Sequence, residues 1–544
     1  MCLRRAGDAL KQQGGIQGVH LQFVDWAIVA IYAVLVVTIG LRAARRAATS
    51  EGYFLANRQL RWPFIGASLL ASNISAEHFV GLAGSGFAIG MCIGGFEWIA
   101  VFCLVPLIVL FLPFYMRNRI YTVPEFLEKR FSARVRLLFS ALMIVLSILT
   151  KISISLWASS IVFSDVLGWD RVTVIWVLGL FTALYTMKGG LSAVVYTDAL
   201  QTTVLLAAAV VLTTIGLGRV GGWSGLHARL PAEMFSMVRP PTHADVPWPG
   251  MFFGGFLVGS FYWSMDQVLV QRVFAARDLN QGRLGAVFCG YLKVAMPFLL
   301  VLPGLIARAL FPHLSSPDKA YPALLGALMP AGLLGLTVAG IAAALMGHLS
   351  ATYNSIATLF TRDFYLRWKP DATQQRQVFT GRMAVLAVFV LGALWAPVIG
   401  RFESLWIYLQ MVTAYLVMPF VGIFFLGVLW KRITTRGVMA SVLTGFVAGP
   451  LLMFDSRHPF IPFLQTPVLR PWLHGAIIEC LLCVCALVGV SLLDKRRPAG
   501  DLVMTTVDWG RTSSAEARPF LLADYRFWLT LLVTLTAYLW YRMR

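Results

Sequence analysis

Residues 66–98 read GASLLASNISAEHFVGLAGSGFAIGMCIGGFEW, and the fold turns on what this stretch is. It is long enough to cross a membrane, yet it holds Ser, Asn, Glu and His, and five glycines by residue 90. An ionisable side chain inside a span costs several kcal/mol unless it is paired or faces water. Packing of helix on helix through small residues accounts for the glycines and serines. It does not account for Asn73, Glu77, His78 and Glu97 together. A helix broken near Ala71 to Ser75 and lining a cavity accounts for all of them. Unwound backbone frees carbonyl oxygens for an ion, and half-helix ends aim their dipoles at a solute.

The rest of the chain suits lipid. Of 544 residues, 58% are hydrophobic and 13% charged, with a mean hydropathy of +0.74. Soluble domains carry about 25% charged residues. Apolar runs near 24–42, 63–90, 97–115, 134–163, 171–187, 193–218, 251–266, 282–310, 330–361, 383–400, 405–427, 437–454, 471–493 and 525–541 predict about fourteen spans. The fold class is therefore an all-α polytopic membrane protein. The net charge of +20 invites a nucleic-acid reading, but there is no long basic tract and no nucleic-acid motif. With the N-terminus outside, 29 of the 45 Lys and Arg fall in cytoplasmic loops, 14 fall outside, and Lys151 and Lys293 lie within spans. That excess is the positive-inside pattern, and an even span count places both termini outside. The chain divides into a polar tail (1–23) without the apolar core of a signal peptide, an extra helix (24–42), a core of spans (63–454), and C-terminal helices (471–544) carrying a loop at 494–524 expected on the cytoplasmic side. The cysteines of CLLCVC (480–485) read as small hydrophobes rather than as a metal site, since no second ligand pair is nearby.

Further polar groups stand where lipid is expected. GGFLVGSFYWSMDQVLVQR (254–272) holds Tyr262 and Trp263, either a pair of flat faces for sugar C–H groups or part of an interfacial aromatic belt. Lys293 sits several residues inside its span, which favours a paired or pore-facing role over snorkelling. GIAAALMGHLSATYNSIATLFTRD (340–363) clusters small residues around His348, a core imidazole or a proton relay. Gln410 is a lone amide able both to donate to and to accept from hydroxyls. Asp198 and Asp266 are placed toward the ends of their spans. No H-E-x-x-H or G-x-S-x-G lies in a span and no nucleotide-binding loop is present, so neither an enzyme nor an ATP-driven pump is indicated.

Several separated strings share one resemblance: ASNISAEHFVGLAGSGFAIG (71–90) with GGFEW (94–98), ALYTMKGGLSAVVYTDALQT (183–202), FYWSMDQVLVQR (261–272), GYLKVAMPFLLVLPG (290–304) and YNSIATLFTRDFY (353–365). Over residues 24–445 the chain resembles the sodium/solute symporter family, in its sodium/glucose cotransporter-like branch. GVLWKRITTRG (427–437) resembles a family signature that departs by Val438. The resemblance implies a LeuT-type core of two inverted five-helix repeats, a broken first core helix and alternating access. It implies that Asn73, His78, Glu97, Lys293 and Gln410 bind sugar hydroxyls, that Tyr262 with Trp263 gates the site, and that Asp198 lies on an ion path. Gly259 stands where the family often has a polar sugar contact.

The implied sodium site is degenerate. Carbonyls of Ala71, Ile74 and Ala344 match the family, but Gly347 and His348 replace its two hydroxyls. Hard cations take oxygen ligands, and an imidazole supplies nitrogen. The expected function is sodium-coupled symport of a glucose- or galactose-like monosaccharide. The alternatives are a proton-coupled or uncoupled sugar or polyol carrier, with His348 standing in for the ion, and a membrane sugar sensor. The partners expected are a small sugar or polyol and the lipid bilayer, with no nucleic acid; protein partners are left open by the sequence. Beyond Na+ as coupling ion, no cofactor is expected.

Overall fold

The computed structural model describes residues 21–44, 50–400, 405–495, 500–507 and 523–544. Of the polar tail, residues 1–20 lie outside them, as do 496–499 and 508–522 of the long loop expected on the cytoplasmic side. Among the described residues eleven helices are long and apolar enough to cross a membrane. The most enclosed is Leu333–Trp368, where 89% of the apolar window is buried, against 22% for Phe23–Gly40. The first is a central mast and the second faces outward. With this many apolar helices, the chain is an integral, multi-pass membrane protein.

Two expected spans are missing from the eleven because they are interrupted. The first is 63–90. Helix Trp62–Asn73 stops, Ile74 is extended (φ −85, ψ 125), and a second half runs over His78–Ile89. The break has a local cause: the backbone N–H of Ser75 donates to Nδ1 of His78 at 3.3 Å instead of to a carbonyl one turn back. Polar side chains that offer the backbone such alternatives weaken a helix. The second interruption separates Phe256–Ser264 from Gln267–Phe274 at Met265 and Asp266. The expected span 251–266 thus ends where a further short helix begins, and the Asp266 side chain caps that helix by accepting from Val268 N at 2.8 Å.

The expected separate spans 171–187 and 193–218 are two helices, Arg171–Lys188 and Gly190–Val220, that meet at a kink at Gly190 (φ 56, ψ −160). A Cβ at Gly190 would lie 2.7 Å from the carbonyl oxygen of Tyr53, so the bend needs glycine twice over. Helix Tyr525–Arg542 occupies the expected last span without being among the eleven. Of the loop 494–524, residues 500–507 are docked: Asp501 N donates to Lys129 O (2.8 Å), Val507 N to Val428 O (2.9 Å), and Asn118 Nδ2 to Met504 O (2.9 Å).

The second half of the broken helix is held by backbone-to-backbone packing. A Cβ on Gly304 would fall 2.0 Å from Ala83 O and 2.7 Å from Phe87 N. Gly304→Ala must therefore push this half-helix away, at a cost of about 1–3 kcal/mol for overpacking. A lowered unfolding temperature in detergent is the expected result.

Candidate functional site

The two breaks face a common space. Asn73, Glu77 and His78 come from the first, and Tyr262 and Trp263 from just before the second. Helix Gly95–Pro106 contributes Glu97, Leu279–Met296 contributes Lys293, and Leu405–Leu429 contributes Trp406 and Gln410. All of them line one cavity of about 100 Å³. That is several times the roughly 10–15 Å³ a single water requires.

The polar groups form a connected chain. The ammonium of Lys293 donates to Asn73 Oδ1 at 2.5 Å and makes an ion pair with Glu97. Asn73 Nδ2 donates to the Tyr262 hydroxyl at 3.3 Å. Nε2 of His78 lies 3.9 Å from Glu97 Oε1, its Nδ1 being occupied by Ser75 N–H. Both flat faces are also engaged: Lys293 Nζ lies 5.7 Å from the Trp263 ring centroid and Lys151 Nζ 5.5 Å from that of Tyr262. His78 meets Trp406 edge-on at 5.0 Å. Donors, acceptors and aromatic faces thus alternate around the cavity, which suits a small ligand rich in hydroxyls.

All seven residues proposed from the sequence for sugar binding line this cavity, as does Gly259. Of the proposed ion-site residues only His348 does so. Its Nδ1 lies 2.6 Å from the carbonyl oxygen of Ser72, and since a carbonyl only accepts, Nδ1 carries the proton. Ala71, Ile74 and Ala344 are buried beside it, and Gly347 faces the Ala71 carbonyl. Asp198 lies away from the cavity and accepts from the Ser68 hydroxyl. Asp198 and Asp266, expected toward span ends, are both buried against other helices. Asp266 pays for its burial by pairing with Lys151.

The sequence had flagged Glu77 and Lys151 as ionisable groups without giving either a role, and it passed over Trp406, Trp472 and Thr413 altogether; all five line the cavity. Glu77 accepts from Ser155 Oγ at 2.9 Å. Gln201 was also missed. It is buried next to Gly347, inside the quoted string 183–202, with no signal beyond being an amide in an apolar run.

Comparison with known proteins identifies the family and the fold. A sequence profile described as "Sodium:solute symporter family" matches residues 53–445. Sodium/glucose cotransporter 4 of Danio rerio is 37% identical over 91% of this chain and 82% of its own length. The sodium/mannose cotransporter of Bos taurus is 37% identical over 90% of each chain. The sodium/myo-inositol cotransporter of Mus musculus is 34% identical over 90% of this chain and 76% of its own. Among solved structures, a Na+-coupled sialic acid symporter in a substrate-bound outward-open state superposes with a TM-score of 0.76 at 20% identity, covering 88% of this chain and 99% of the other. Mhp1, a nucleobase-cation-symport-1 family transporter, does so at 0.51 and 16% identity, covering 81% and 95%. These neighbours share the LeuT fold. With a profile spanning most of its length and full-length relatives above the level of chance, the chain belongs to the sodium:solute symporter family.

Proposed function

We propose that this protein carries a monosaccharide or a polyol across the membrane by alternating access, coupled to sodium. The observation that carries this reading is the cavity, where Asn73, Glu97, Lys293 and Tyr262 form one hydrogen-bonded chain between two aromatic faces. His78 and Gln410 complete a lining able to hold several hydroxyls at once. The names of the relatives, which carry glucose, mannose and myo-inositol, support a ligand of hexose size.

The architecture proposed with it has fourteen spans: the eleven continuous helices, the two interrupted segments and Tyr525–Arg542. Two inverted five-helix repeats form the core within 63–454, preceded by the helix at 24–42 and followed by helices in 471–544, with both termini outside. Alternating access then requires each ligand to bind one orientation more tightly than the other.

One observation favours a second reading, in which sodium is not needed. The imidazole of His348 donates to the Ser72 carbonyl at the break, placing a hydrogen-bond donor where a cation would otherwise face freed carbonyls. Uptake of radiolabelled glucose, mannose and myo-inositol into proteoliposomes decides between them, under an inward sodium gradient, an inward proton gradient or neither. Accumulation driven by sodium is the expected result. Saturable exchange indifferent to sodium would favour the second reading, and no saturable uptake of any of the three would end the sugar assignment.

A further inference from the structure

We infer that His348 is a sugar ligand: its Nε2 accepts a hydrogen bond from one substrate hydroxyl, and the ammonium of Lys151 beside it donates to the same oxygen. This rests on the sugar-carrying reading above and holds whichever ion, if any, is coupled.

The ring is fixed before any ligand arrives. His348 stands on helix Leu333–Leu359 and is 2% exposed. Its Nδ1 gives the proton to the Ser72 carbonyl at 2.6 Å. A neutral imidazole with its hydrogen on Nδ1 carries its lone pair on Nε2. That nitrogen has no hydrogen-bond partner among the described residues. With one edge of the ring held against Ser72, the edge bearing Nε2 is the one left to line the cavity.

The cavity is short of free acceptors, which gives this one a use. Asn73 Oδ1 and the Glu97 carboxylate are engaged by Lys293, and Glu77 is engaged by the Ser155 hydroxyl. Nearby donors are spent as well. Ser350 gives its hydroxyl to the Gly347 carbonyl at 3.0 Å, and Lys151, the charged side chain beside the ring, gives an N–H to Asp266. A buried acceptor that the protein leaves open is costly unless a water or a ligand fills it.

The neighbours select a hydroxyl. A carbonyl oxygen cannot donate to Nε2, and an ammonium would meet the positive charge of Lys151. A hydroxyl donates and accepts at once, and Lys151 has three N–H groups, of which Asp266 takes one. Lys151 Nζ lies 5.5 Å from the ring centroid of Tyr262, so this hydroxyl belongs to the part of the cavity beside Tyr262, with Thr150 and Glu77 in the same lining.

The test is equilibrium exchange in proteoliposomes of whichever of glucose, mannose and myo-inositol is carried, competed by its monodeoxy analogues. Sodium is equal on both sides, at zero and at a saturating concentration. In His348→Asn the asparagine Nδ2 stands near the place of Nδ1, so Ser72 stays bonded, and nothing stands at Nε2. Its affinity for the parent sugar is expected to fall roughly 10-fold. One deoxy analogue should bind more weakly than the parent in wild type and no more weakly than the parent in His348→Asn, because the missing hydroxyl and the missing acceptor are the same contact. His348→Gln, whose amide oxygen reaches toward the place of Nε2, should restore part of that discrimination. Should His348→Asn fail to fold, as judged by unfolding temperature and gel filtration, His348→Phe keeps a flat ring without the nitrogen and is read in the same way. Deoxy penalties that the substitution leaves unchanged at every position overturn the assignment. So does a loss that is equal for all analogues and disappears at saturating sodium, which would place His348 on the ion instead. If none of the three sugars is exchanged by the wild type, the sugar reading itself falls and this assignment with it.

Discussion

Lys293→Ala is expected to abolish sugar exchange and to lower the unfolding temperature sharply. Lys293 is 1% exposed, and its ammonium is shared between the Glu97 carboxylate and Asn73 Oδ1. Truncation leaves Glu97 buried without its ammonium partner, with Nε2 of His78 3.9 Å away. Removing one partner of a buried ion pair costs about 3–5 kcal/mol, because the other charge is left uncompensated. Lys293→Met combined with Glu97→Gln separates stability from binding. It removes both charges at similar volume, so the unfolding temperature should return toward wild type. Exchange should not return, since the fixed donor and acceptor that face the cavity have gone. If exchange did recover in the double variant, neither residue would bind the sugar and their role would be structural.

The same pair shows how far the sequence could be read. Lys293 and Glu97 were each identifiable alone, because a charge inside an apolar run needs a reason. Their partnership was not, for nothing in 196 residues of separation marks it. The first helix break was legible for a similar reason: residues 66–98 carry too many polar groups for one lipid-facing helix. The second was not. Met265 and Asp266 end a short apolar run with one acid, which reads equally well as a span reaching water. What buries Asp266 is Lys151, on a helix 115 residues earlier. The surroundings of His348 were half legible. Loss of both hydroxyls could be read from Gly347 and His348, whereas the orientation of Gln201 toward Gly347 depends on how helix Gly190–Val220 packs on Leu333–Leu359. Side chains that act through a covalent neighbour are visible in a sequence, and those that act through a partner on another helix emerge only with the packing.

Asp266→Asn is expected to destabilise the protein by about 3–5 kcal/mol, and Lys151→Met is expected to reverse most of that loss. The Lys151–Asp266 pair is buried on both sides, and it ties the second break to helix Ser153–Leu167 through the π-helical turn Ser147–Ile152. Asp266 has two roles that substitution can separate. As a charge it compensates Lys151. As a cap it accepts from Val268 N at 2.8 Å and starts helix Gln267–Phe274. Asparagine caps a helix about as well as aspartate, so Asp266→Asn removes the first role and keeps the second. With Lys151→Met no ammonium is left stranded, and the double variant should unfold near the wild-type temperature. Lys151→Met with Asp266→Ala loses the cap as well and should be weaker by about 1 kcal/mol. A double-mutant cycle on unfolding temperature or denaturant midpoint reads the coupling directly. Strong coupling means that the break at Met265 and Asp266 is held shut by charge. Additive effects would mean that the cap alone holds it.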